Sequence, residues 1–390
     1  MKKIITTEKI PIKMWLDEIE DGALQQAKNL ANLAFAFHHI ALMPDTHVGF
    51  GMPIGGVLAT KGVVVVNAVG VDIGCGMCAV KTSLNEISRE KLISIMKQIR
   101  QAIPVGFNKH KEMQDLNFMP SDYEKLKIVK KEFNNARKSI GTLGGGNHFI
   151  ELQKGLDGYI WIMLHSGSRN LGLKVAEHYN KIAREKSSEF GQKYGNVPKE
   201  WDLAFLPLDT EDGKNYMNEM KYCVEFALAN RKLMLDRIKQ ILNKLFDDSI
   251  KYTNFINIAH NYASLETHFG KKVMIHRKGA TLASKETIGI IPGNQGSKSY
   301  IVRGKGNKES FESCSHGAGR IMGRKEAVKN LDLEKEIKKL RDFGVMHSIR
   351  SKADLEEAPG AYKNIDVVME NQKDLVYVLV ELTPIAIIKG

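Results

Sequence analysis

Ile40-Ala-Leu-Met-Pro-Asp45, Gly55-Gly-Val-Leu-Ala-Thr60 and Gly62-Val-Val-Val-Val66 decide how this chain folds. Each is a short apolar run held between glycine or proline breakers, the signature of a buried strand rather than of a helix. Working outward, Tyr159 to Leu164 reads as another strand and delivers His165 at its end. Strand-like runs return at Lys272 to Ile275, Thr287 to Ile291 and Tyr300 to Val302. Between them the period changes. Ser88 is a suitable N-cap for a helix to about Ala102, with Leu92, Ile95 and Ile99 on one face. From about Lys174 to Phe246 the chain is helical and charged, broken by a polar loop near Asn196 to Gly213. This pattern predicts an α+β fold. One compact domain spans residues 1–390, with packed mixed β-sheets, surrounding helices and a helical insertion at about 174–250.

Composition narrows the classes. Apolar residues make up 43% of the chain and charged residues 26%, enough for a sizeable core in a soluble protein. Lys plus Arg exceeds Asp plus Glu by 57 − 45 = 12, which favours a polyanionic partner. Cys75, Cys78, Cys223 and Cys314 are too few and too scattered for a disulfide framework. The Cys75–Cys78 pair has no second pair to complete a zinc knuckle, so Cys75 reads as a ligand and Cys78 as packing. No signal segment and no membrane-length apolar run are visible. Reduced thiols without a signal point to the cytoplasm, and no membrane is expected as a partner.

The chemistry lies in glycine-flanked histidines. Val71-Asp-Ile-Gly-Cys-Gly76 supplies Asp72 and Cys75; Gly144-Gly-Gly-Asn-His-Phe149, Leu164-His-Ser-Gly-Ser-Arg169 and Ala259-His-Asn-Tyr262 supply His148, His165 and His260. A thiolate, a carboxylate and three imidazoles form a transition-metal ligand set in which the thiolate can bridge two ions; zinc and manganese both suit it. His316, in Ser313-Cys-Ser-His-Gly-Ala-Gly-Arg-Ile-Met322, is the candidate covalent nucleophile. The turns at Gly144 and at Pro292-Gly-Asn-Gln-Gly-Ser-Lys-Ser299 can present backbone N–H groups to phosphate, though neither is a Walker A loop. Glu151 can accept from the adjacent N1–H and amino donors of guanine, a pair adenine lacks. Arg169, Arg277 and Lys278 suit phosphate, and the apolar run Thr383-Pro-Ile-Ala-Ile-Ile388 can dock and so fix Lys389. Together these describe a metal-dependent nucleotidyl transferase. A metallohydrolase would share the metal ligands without needing His316 or Glu151, and a binding module would need no such cluster.

Three long motifs then place the chain beside a known family. Met43-Pro-Asp-Thr-His-Val-Gly-Phe-Gly-Met-Pro-Ile-Gly-Gly56, the Gly144 motif continued to Glu151, and Ser315-His-Gly-Ala-Gly-Arg320 with Glu357-Ala-Pro-Gly-Ala-Tyr-Lys363 resemble the RtcB RNA ligases in register along nearly the whole chain. The resemblance implies an RtcB-like fold and GTP-dependent joining of an RNA 3′-phosphate or 2′,3′-cyclic phosphate to a 5′-hydroxyl, in RNA repair or tRNA splicing. It implies two manganese ions, one on Asp72, Cys75 and His148, the other on Cys75, His165 and His260. It makes His316 the residue that carries GMP, oriented by Asp45. Asn147, Glu151, Asn261, Ser299 and Lys389 would contact guanylate, with Pro292, Gly293, Asn294 and Gln295 and the backbone of Gly317, Ala318 and Gly319 around it. An activating protein is a further partner the resemblance allows. Asn170, Gly323 and the Asn294-Gln295 pair depart from the family pattern without removing a ligand or the nucleophile.

Overall fold

Alternation along Ile40 to Met43 shows why this segment is apolar without a break: both faces of its strand are covered. Ile40 and Leu42 join one core with the helices, whereas Ala41 and Met43 join a second core on the opposite face. Burying one such side chain stabilises the fold by roughly 1.5–3 kcal/mol. The computed structural model describes residues 1–347 and 349–390.

Two large sheets carry the molecule. The six-stranded sheet runs Lys3–Ile5, Ile12–Met14, Ala36–His47, Ile54–Thr60, Lys271–Lys278, Asn261–His268. It is mixed, because Ile12–Met14 pairs parallel with Ala36–His47 while its other pairings are antiparallel. The seven-stranded sheet runs Tyr252–Ala259, Gly76–Thr82, Ile160–Ser166, Phe149–Gly155, Val376–Lys389, Ser299–Gly304, Ile288–Ile291. This sheet is antiparallel throughout. The sheets meet where Met43, Val57 and Ile275 pack with Ile291, Tyr300 and Val302.

The chemistry of the strand and helix ends follows the sequence closely. Ser88 caps the helix Arg89–Ala102, its hydroxyl accepting from Lys91 N, and Leu92, Ile95 and Ile99 are buried. The strand Ile160–Ser166 extends one residue past His165, and the Val63–Val65 strand turns directly into a short helix, Val66–Val69. The expected helical stretch is mainly two helices, Asn170–Glu185 and Glu211–Leu245, with a shorter one, Ser187–Tyr194, between them. The long helix does not stand apart. Its Tyr216, Met220 and Phe226 share a core with Val63 to Val69, and its Met234, Ile238 and Leu242 pack on Cys78, Ile162 and Leu164 of the seven-stranded sheet. No helix among the described residues is long and apolar enough to cross a membrane.

Candidate active site

Strand register brings the candidate ligands together. Gly76 pairs with both Ala259 and Ser166, and His165 pairs with both Met77 and Phe149. Cys75, His148, His165 and His260 therefore emerge at one end of four neighbouring strands. The backbone N–H of His260 donates to the Cys75 carbonyl at 2.8 Å, locking two of these ends together. Gly76 must be glycine, since a Cβ there would lie 1.9 Å from the Ile258 carbonyl oxygen.

The side chains converge on the Cys75 sulfur. Its Sγ is 3.4 Å from His148 Nε2 and 3.2 Å from His165 Nε2; His165 Nε2 is 3.3 Å from His260 Nε2. Asp72 Oδ2 is 3.2 Å from His148 Nε2. Ring tautomers are set from behind. His148 Nδ1 faces the Leu143 carbonyl at 2.9 Å and His165 Nδ1 the Asn147 carbonyl at 3.1 Å. A carbonyl can only accept, so each Nδ1 carries a proton and each Nε2 is turned inward. His148 Nε2 and Asp72 Oδ2 face each other at a distance that a proton or a cation can bridge. A cation satisfies both. Burial drives His165 and His260 well below the usual histidine range, and burial with the nearby Asp72 carboxylate pushes the Cys75 thiol up. The cluster thus offers neutral imidazoles at His165 and His260 and a sulfur that only a cation would hold as thiolate. Gly167 makes room for it, because a Cβ there would meet Asp72 Oδ1 at 2.2 Å.

His316 stands over this cluster, its ring centroid 4.8 Å from that of His260. Its Nδ1 lies 2.6 Å from Asp45 Oδ2, which also accepts from the backbone N–H groups of His316 and Gly317. Burial alone would raise the Asp45 carboxyl, but the charge of His316 and its hydrogen bond outweigh it, and Asp45 is held below its ordinary value. With Nδ1 occupied, Nε2 is the free nitrogen.

The ring opens into a cavity of about 560 Å³. Its walls include Asn147, Glu151, Pro292 to Gln295, His316 to Gly319 and Lys389, so most of the expected nucleotide contacts share one space. Ser299 stands one layer back, where its hydroxyl accepts from Gly293 N at 3.1 Å and from Gln153 at 3.2 Å. Burial raises the Glu151 carboxyl to about 7, against the hydrogen bond from Gln153 and the charge of Lys389. The strand Val376–Lys389 carries Lys389 into the site, with Ile388 paired to Ile150 and Lys389 to Phe149. Burial pulls Lys389 below the ordinary lysine value, while Glu357 and Glu151 act in the other direction.

Some expected contacts lie elsewhere. Arg277 is fully buried and paired with Glu266, and it also donates to the Phe311 carbonyl and to the Ser313 hydroxyl. Lys278 is spent on the Phe50 and Asn67 carbonyls at 2.6 and 3.0 Å. Both were expected at phosphate; in the structure neither lines the cavity and each head is engaged by groups of the protein itself. Arg169 supports the Gly144 turn from beneath, a Cβ on Gly144 meeting its guanidinium at 2.0 Å. Asn261 bridges the Asp72 carbonyl and Gly279 N and does not line the cavity.

Other contributors were not visible as a motif. Asn230 accepts from Gly141 N and Thr142 N and donates to Thr142 O, Ser166 Oγ and Gly167 O. Arg231 beside it donates to the Gly74 and Ser166 carbonyls. The two hold the Cys75 and His165 segments against the long helix. A signal existed: Asn230 falls on the apolar stripe Cys223, Ala227, Met234, where a polar residue needs a partner. Glu357 gathers Arg320, Arg324, Tyr362 and Lys389 at the cavity wall.

This geometry defines an α+β enzyme in which a carboxylate-anchored histidine stands at a cavity wall over a buried cysteine–histidine cluster. Comparison with known proteins agrees. The family model described as tRNA-splicing ligase RtcB matches residues 26–126 and 121–390. The RNA-splicing ligase RtcB of Escherichia coli K12 is 38% identical over 412 residues, covering 100% of this chain and 99% of that protein. The tRNA-splicing ligase RtcB of Thermococcus kodakarensis is 30% identical over 445 residues, covering 95% and 92%. The chain belongs to the RtcB family of RNA ligases.

Proposed function

We propose that this enzyme uses GTP and two manganese ions to join an RNA 3′-phosphate or 2′,3′-cyclic phosphate end to a 5′-hydroxyl end, through a GMP-histidine intermediate, in RNA repair or tRNA splicing. The observation that carries the reading is His316, tied through Nδ1 to Asp45 and left with Nε2 free beside the cavity.

His316 Nε2 attacks the α-phosphorus of GTP; the N–P bond forms as the P–O bond to pyrophosphate breaks. The Nδ1 proton stays on the ring, and Asp45 stabilises the positive charge that develops there. An oxygen of the RNA 3′-phosphate then attacks the same phosphorus and breaks the P–N bond, freeing the imidazole. The 5′-hydroxyl oxygen finally attacks the 3′ phosphorus, loses its proton and expels GMP. A cyclic end is first hydrolysed to the 3′-phosphate. Asp72, Cys75 and His148 would hold one manganese, and Cys75, His165 and His260 the other. When bound, the ions neutralise phosphate charge and polarise the P–O bonds.

Glu151 supports guanine as the base, because a carboxylate matches two adjacent N–H donors. Gly293 to Gln295 and Gly317 to Gly319 are the backbone lining, and Lys389 supplies positive charge. The test is incubation with α-labelled GTP and manganese, then denaturing electrophoresis. Label retained by the wild type and lost in His316→Ala is the expected result. An adduct that persists in the alanine variant places the nucleophile elsewhere.

A further inference from the structure

Phe107 is the most exposed large apolar side chain among the described residues, with a relative exposure of 103%. One exposed apolar residue is ordinary; its position is not. Val105 bridges to Gly144, and Gly106 N donates to the Gly144 carbonyl at 2.9 Å. The Phe107 backbone is therefore fastened to the glycine turn whose next residues are Gly145, Gly146 and the cavity-lining Asn147. On another side of that turn, a Cβ on Gly146 would meet the Arg324 guanidinium at 2.7 Å, and Arg324 is half-exposed at the cavity wall. Gly144 itself is buried, with Gly390 against it, but an aromatic face and a guanidinium flank the part-exposed Gly145 and Gly146, which carry no side chains.

Along the chain on either side of Phe107 the charge has one sign. No acidic residue occurs between Glu90 and Glu112, whereas Lys91, Lys97, Arg100, Lys109 and Lys111 all do. Lys109 and Lys111 follow Phe107 closely and are exposed. Basic side chains around an accessible aromatic ring suit single-stranded nucleic acid, where phosphates meet cations and a base stacks on the ring. A protein partner with an apolar knob would fit the ring but not the cationic surround.

We infer that Phe107 is a stacking platform for a nucleobase of single-stranded RNA near the end being joined, with the strand crossing Gly145 and Gly146 into the cavity. This rests on the RNA-ligase reading and adds a positioning residue to it.

The test uses the full-length protein and a short fluorescent single-stranded oligoribonucleotide ending in a 3′-phosphate. Phe107→Ala should weaken its binding by roughly 5- to 150-fold, the loss expected for one stacked base. Phe107→Leu keeps apolar bulk without a π-face and should lose most of the same affinity. Phe107→Trp should retain binding, and its new indole should be quenched when RNA is added. Wild-type affinity in Phe107→Ala overturns the inference, as does wild-type affinity in Phe107→Leu or an unquenched indole in Phe107→Trp. Wild-type protein is also tested for GMP transfer from GTP, which needs no RNA. Failure there removes the proposed mechanism; transfer with unchanged RNA affinity in the alanine variant removes only the role of Phe107.

Discussion

Asp45 Oδ2 lies 2.6 Å from His316 Nδ1 and accepts from His316 N at 3.0 Å and Gly317 N at 3.3 Å. One carboxylate oxygen therefore fixes both the ring of His316 and the turn that carries it. Gly319 completes the fit: its φ is +75°, and a Cβ would lie 2.3 Å from the Asp45 carbonyl oxygen.

Asp45→Asn keeps an oxygen for the Nδ1 proton but removes the negative charge. It also puts an NH2 where Asp45 Oδ1 is buried without a partner. GMP transfer to His316 should slow by roughly 10²- to 10⁴-fold, with metal content unchanged. Single-turnover labelling with GTP measures it, and a rate near wild type would show that the carboxylate only supports the fold.

Cys75 and Cys78 separate ligand from filler. Cys75→Ala should lose tightly held manganese after desalting, because its sulfur is the point on which His148 and His165 converge. Cys78 packs with Ile162 and Leu164, so Cys78→Ala should keep the metal and lose about 1 kcal/mol of stability. Elemental analysis beside thermal melting decides; equal metal loss in the two variants would give Cys78 a role in the cluster.

Guanine selection should depend on pH through Glu151. Burial raises its folded-state value to about 7, above the ordinary glutamate value, so the carboxylate form is disfavoured by folding. Stability from this group is greatest at low pH and is lost as pH rises from the ordinary value through about 7. Guanine binding runs the opposite way, since only the carboxylate accepts from both donors. The preference for GTP over ATP in the labelling reaction should therefore rise between about pH 6 and pH 8. Glu151→Gln should lower the preference and flatten the rise. A parallel rise in wild type and variant would trace the effect to the triphosphate, which both nucleotides share.

Arg277 should behave as a structural residue. Burial works against its charge, but Tyr262 and Glu266 outweigh burial and hold the guanidinium protonated. Arg277→Ala leaves Glu266 without that partner and should cost roughly 3–5 kcal/mol. Denaturant melts report the loss. A variant of unchanged stability that binds RNA with a shallower salt dependence would restore the phosphate role.

Spacing made the strands legible because β-branched runs and glycine breakers act locally. Ser88 was legible as a cap for the same reason. The candidate ligands stood out since glycine or a small polar residue flanks each histidine, and their convergence then follows from strand register. What stayed hidden depends on direction. Arg277 and Lys278 look like a basic strand end, yet alternate residues of a strand face opposite ways and both heads find partners inside the protein. Asn261 looks like a free amide beside a ligand, but Asp72 O and Gly279 N occupy it. Asn230 and Arg231 lie inside a long charged helix, where nothing local marks them as the clasp for distant segments.

The rings of His148 and His165 are fastened through Nδ1 to main-chain carbonyls, and that has a consequence for how the centre is loaded. The main chain thereby aims each Nε2 at the Cys75 sulfur, so capture of an ion there would cost little side-chain freedom. A chelator should therefore be able to remove a bound ion without unfolding the chain, which far-UV circular dichroism before and after chelation checks.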